Sequence, residues 1–135
     1  MPPSPVIKGS SRRNGSSITL LLKASLGDAA FLLTADIGAE GEANLMSNHA
    51  DLLHALVLKV AHHGSRTSTS AAFLAAVEPL TAVISVGEDN GYGLPAAETL
   101  DRLGARPVVC TDRHGDVEIS TDGRKLWVKR EREEE

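Results

Sequence analysis

The sequence holds a single cysteine, Cys110, inside the apolar run Pro107-Val108-Val109-Cys110. One cysteine makes neither an internal disulfide nor a cysteine zinc cluster. Cys110 therefore reads as a small buried core residue. Aromatic residues are scarce, at 3% of the chain, so the core is aliphatic and no platform of rings for stacking single-stranded bases is visible. Positive charge is not in excess either. A net charge of −4 gives no long-range attraction for nucleic acid. That weighs against a passive DNA binder but leaves a nuclease open, because bound divalent metals dominate their local field. No apolar stretch reaches membrane-spanning length. The opening residues, MPPSPVIKGSSRRNGSS, lack the apolar centre of a signal peptide. The chain as given reads as soluble.

What remains is a length of 135 residues, suited to one domain. Residues 1–13, rich in Pro, Ser and Arg, read as a flexible lead-in. Residues 131–135 read as a solvated charged tail. Between them, residues 14–130 alternate strand and helix. Ile18 to Ala24 and Ala30 to Thr34 form a hairpin around the turn Leu26-Gly27-Asp28. Ala39 to Ala50 has helical spacing, with Leu45 and Met46 on its apolar face. Leu56 to Ala61 is a strand. Ser70 to Val77 is a helix capped by Ser68 or Thr69 and ended by Pro79. Thr81 to Val86 is a strand and residues 87–94 are a loop. Pro95 opens a helix that Gly104 closes. Val108 to Thr111, Asp116 to Ser120 and Leu126 to Lys129 are short strands. Strands alternating with helices predict an α/β domain with layered elements.

Two segments carry groups suited to chemistry. In the first, the apolar run Phe31-Leu32-Leu33 leads through Thr34 and Ala35 into Asp36. In the second, Leu58-Lys59-Val60-Ala61 leads into His62-His63-Gly64-Ser65. Functional groups in layered α/β folds collect where strands end. A carboxylate and imidazoles from two such ends suit one hard or borderline cation. Gly64 lets backbone approach a ligand closely, and Ser65 offers a hydroxyl to a phosphate or to backbone. Taken singly, Asp36 reads as a turn former, and the histidine pair is equally a pair of surface residues. Together they favour a metal or phosphate site. His49, His54 and His114 stand alone and read as solvated surface positions.

The order NGSSITLLLK, FLLTAD, LKVAHHGSRTSTSAAFLAAVEP, AVISVGEDNGYGLP and TDRHGDVEIS resembles the ComEC-type branch of the metallo-β-lactamase superfamily, over roughly residues 14–121. HHGS and its Thr/Ser-rich continuation are the most distinctive part. The resemblance implies the C-terminal half of an αββα sandwich, a mixed β-sheet flanked by helices. It implies that Asp36 bridges two metals and that His63 or His62 is the late metal ligand, with His63 favoured for metal and His62 for the substrate phosphate. Asn14 and Ser17 match the stretch opening that half. Ser65, Asn90 and Tyr92 match substrate-side positions.

The sequence also departs from that pattern. The H-x-H-x-D-H ligand string of the N-terminal half does not occur. Ala35 stands where the family has glycine, and Leu94 where it has histidine. A catalytic zinc needs about three protein ligands; this chain offers Asp36 and one or two histidines.

In the intact family domain, zinc or manganese would activate a water that attacks a phosphodiester. The resemblance implies DNA as substrate, a role in DNA uptake during natural transformation, and a parent protein of the bacterial inner membrane. The expectation is thus a nuclease-domain fragment, inactive alone and completed by the missing N-terminal half or by a membrane channel. The alternatives are a non-catalytic module that binds a nucleotide or a partner, and a small hydrolase completed by homodimerisation. One half of such a sandwich would expose an apolar sheet face, to be covered by a second copy or by the chain's own helices and final strands.

Overall fold

The structure, a computed structural model, describes residues 6–14 and 17–133, with side chains from residue 20 onward. Eight strands and four helices follow one another as β1 (Val6–Asn14), β2 (Ser17–Leu26), β3 (Ala29–Leu33), α1 (Ala39–Asn48), β4 (Val57–Lys59), α2 (Ala71–Val77), β5 (Thr81–Ile84), α3 (Ala97–Leu103), β6 (Val108–Cys110), α4 (Thr111–His114), β7 (Val117–Thr121) and β8 (Leu126–Arg130). Strands β1 to β6 form one sheet in sequence order. It is antiparallel from β1 to β3 and parallel from β3 to β6. This is an α/β domain on a mixed sheet.

Strand β1 takes in residues 6–13, which composition had assigned to a flexible lead-in. It lies at one end of the strand order. Asn14 of β1 and Ser17 of β2 pair, but their side chains lie outside what the structure describes. Helix α2 is capped by Ser70, whose side chain accepts from the Phe73 N–H, rather than by Ser68 or Thr69. Helix α3 has Ala96 as its N-cap, so Pro95 precedes the helix instead of opening it.

All three longer helices pack on one face of the sheet. Leu45 of α1, Phe73, Leu74 and Val77 of α2 and Leu103 of α3 share a core with Leu32, Leu58, Ala82, Ile84 and Cys110 of the strands. Cys110 is fully buried, as its apolar setting implied. The opposite face carries the row Leu22, Leu33, Lys59, Val83 and Val109. The β7–β8 hairpin leaves the carboxyl end of β6 and reaches the β2–β3 turn, where Asp28 N–H donates to the Gly123 carbonyl at 2.8 Å. Val109 and Val57 on the face opposite the helices are buried. The corner at Leu20 and Leu33 stays open: Leu20 is 49% and Leu33 41% exposed.

Candidate functional site

The site forms where β3 and β4, parallel neighbours, reach their carboxyl ends. Thr34 is fully buried and donates its hydroxyl to the Lys59 carbonyl at 2.6 Å. Residues 34–37 then turn, with Ile37 N–H returning to the Thr34 carbonyl at 3.1 Å. The turn exposes Asp36 and leaves Gly38 as the N-cap of α1, so Asp36 is a turn residue. From the other strand, His62 N–H donates to the Ala35 carbonyl at 2.8 Å. That bond locks the turn bearing Asp36 against the turn bearing both histidines.

The backbone here is held in an uncommon conformation. Ala35, His62, His63 and Gly64 all have positive φ, at 47°, 52°, 55° and 83°. Non-glycine residues in this region cost about 1–2 kcal/mol each, and such outliers gather at functional sites. The value at Ala35 explains why glycine suits that position. Gly64 is required twice over: by its φ, and because a Cβ there would lie 2.6 Å from the Pro95 Cβ.

His62 and His63 are exposed. The His63 Nδ1 lies 2.7 Å from the Ser85 carbonyl at the end of β5. A carbonyl only accepts, so Nδ1 is the donor, and in the neutral form this tautomer puts the ring's lone pair on Nε2. Metal-ligating histidines are commonly oriented in this way. Lys59 sits one strand-end away on the open face. Burial lowers its pKa from the ordinary lysine value, and the nearby Asp36 charge partly restores it. Its ammonium donates to the Val60 carbonyl at 3.3 Å.

The loop after the histidines is fastened from several sides. Glu42 of α1 is buried and accepts from the N–H groups of Thr69 and of Ser70, the latter at 2.9 Å. Arg102 of α3 donates to the carbonyls of Arg66, Ser68 and Thr69. Thr99 donates to the Ser65 carbonyl at 3.0 Å and Ser68 to that of Ile37 at 2.6 Å. The Ser65 hydroxyl is engaged with Thr67 at 2.9 Å. Asn90 spends its amide within its own loop: its N–H groups go to Gly87 and Leu94 carbonyls, and its oxygen accepts from Tyr92 and Leu94 N–H. Tyr92 is 87% exposed.

Comparison with known proteins then places the chain. It is 35% identical over 117 residues to ComE operon protein 3 of Bacillus subtilis, covering 85% of this chain and 15% of that protein. It is 40% identical over 108 residues to Competence protein ComA of Neisseria gonorrhoeae, covering 78% and 15%. This chain is related to the competence proteins. It is also 32% identical over 92 residues to the Escherichia coli protein YcaI, covering 68% and 12%. The chain spans about 15% of the length of the first two relatives. No family model matches it, and no solved structure does.

Of the residues singled out from sequence, the fold brings the Asp36 turn and the His62–His63 turn into contact, and carries Ser65 and the Tyr92 loop beside them. Ala96 N–H donates to the Gly64 carbonyl at 2.9 Å, which ties that loop to the histidine turn. His49, His54 and His114 play no part in this arrangement. His114 is not the solvated residue its isolation suggested: it is 1% exposed, because α4 turns its ring inward to the Cys110 backbone, 3.1 Å away. Sequence reasoning missed Thr34, Glu42, Lys59 and Arg102. Thr34, directly ahead of Ala35-Asp36, carried a local signal. Glu42 and Arg102 carried none, since their partners lie 27 and 33 residues away. Among the described residues, no group of three or more His, Cys, Asp or Glu is placed to hold a metal ion.

Proposed function

We propose that this chain is part of a metal-dependent phosphodiesterase domain acting in DNA uptake, and that it supplies only a portion of the metal site. The observation carrying this reading is the contact of the His63 Nδ1 with the Ser85 carbonyl at 2.7 Å, which leaves Nε2 of this exposed ring for a ligand beside the turn that presents Asp36. Relationship to proteins named for competence supports the biological setting. The donor set fits zinc or manganese incompletely: one carboxylate and one or two imidazoles fall short of the roughly three protein ligands a catalytic zinc needs. The chain alone lacks the ligands for a hydrolytic step. Asp36 and His63 would contribute ligands, and His62 would meet the substrate phosphate.

The open corner of the sheet around Leu20, Leu33 and Lys59 adjoins this site. We place there the polypeptide that completes it: the other half of the sandwich that the ComEC-type resemblance implies, carried by a membrane-bound parent. Incubated with manganese, this chain alone should cleave a phosphodiester no faster than background. Robust cleavage abolished by Asp36→Ala and by His63→Ala would mean a complete site and would overturn the partial-site reading. A second reading, a nucleotide- or partner-binding module without catalysis, draws on the same shortage of ligands. It predicts that added zinc leaves the His63 ring signals unmoved.

A further inference from the structure

A pocket of about 350 Å³ opens beside the histidine turn, lined by Ser65, Arg66, Tyr92, Leu94 and Glu98 among others. The resemblance marks Ser65 and Tyr92 only as substrate-side positions, and the metal ligation proposed above does not involve this pocket. Tyr92 stands at its rim almost wholly in solvent, in a chain with one tyrosine and one tryptophan. A lone exposed ring is ordinary. This one is presented by a loop that Asn90 fixes with four hydrogen bonds, so little order would be lost on binding. Arg66 is exposed, and its main chain is pinned by Arg102. Glu98 adds a carboxylate to the wall, which repels a bare phosphate but accepts from N–H groups on a base edge.

We propose that this pocket is a nucleobase subsite. One unstacked base of a single-stranded nucleic acid lies on the Tyr92 ring with its N–H edge towards Glu98. The adjoining phosphate meets Arg66 on the side of the histidine turn. The subsite rests on the reading of that turn as part of a nucleic-acid-processing site, and it narrows the substrate to single strands, because a base held in a duplex cannot reach the ring. The sequence showed no run of rings for stacking. A single ring backed by a cation serves one base, at about 1–3 kcal/mol in known cases.

The sole tyrosine makes the test specific. Titration of the chain with dGMP in EDTA, followed by NMR, should shift the Tyr92 ring signals and those of the Arg66 side chain. Tyr92→Ala should weaken binding about tenfold, and Tyr92→Phe should bind as the parent does. Deoxyribose 5-phosphate, which lacks the base, should bind at least about tenfold more weakly than dGMP. Tyr92 signals unmoved by dGMP, or equal binding of the sugar phosphate, would overturn the subsite. Because EDTA removes metal, such a failure is distinct from failure of the metal reading, which His63 reports in a separate zinc titration.

Discussion

Ala35 shows how one residue records the demands of the site. Its φ of 47° is forced by a turn that must expose Asp36 while offering a carbonyl to His62. Glycine adopts that conformation freely but loses more entropy on folding. Relief of about 1–2 kcal/mol of strain, less that entropy, leaves Ala35→Gly more stable by about 0.5–1 kcal/mol. A urea melt measures this, and an unchanged or lowered midpoint would count against the strain argument. Gly64→Ala should act in the opposite sense. It combines an unfavourable φ with a contact against Pro95, and should cost about 2 kcal/mol or more while shifting the His62 and His63 signals. At this scale the sequence was readable wherever chemistry and geometry coincide in neighbouring residues: HHGS advertises both. His114 was misread because a lone histidine says nothing of the short helix that buries it.

Among the elements, the strands and helices were legible from apolar periodicity and turn residues, including the hairpin about Gly27 and the closure of α3 at Gly104. Strand β1 was not, since a polar edge strand carries no apolar signal. The contacts between elements were hidden as well. Glu42 is the clearest case: one helix lends a buried carboxylate to the start of another. Leaving the buried Thr69 N–H and the half-buried Ser70 N–H unpaired should make Glu42→Ala cost about 3 kcal/mol. Ser70→Ala, which loses an ordinary N-cap, should cost about 1 kcal/mol. Comparing the two by denaturant unfolding checks the ranking; equal costs would remove Glu42 from its role as the clamp on the loop behind the histidines.

Across the whole molecule, the sheet is covered by helices on one side, while on the other Val57 and Val109 are buried and Leu20 and Leu33 exposed. The apolar face expected from sequence is thus only partly buried, and its exposed part borders the site. Lys59 lies beside that part. Its lowered pKa means that folding penalises the protonated ammonium. The penalty is complete below the folded pKa and fades as pH rises from there to the ordinary lysine range, so stability from this group increases with pH across that window. Lys59→Met should therefore stabilise the chain at neutral pH, with a gain that shrinks towards alkaline pH. A gain independent of pH, read from urea midpoints, would refute this account of Lys59.

The convergence of two strand ends is tested most directly by titrating the chain with manganese and following paramagnetic broadening in its NMR spectrum. Signals of Asp36 and His63 should broaden together, ahead of those from other carboxylates, and Asp36→Ala should abolish the effect at His63. Broadening scattered over unrelated acidic residues, with Asp36 and His63 left sharp, would contradict it.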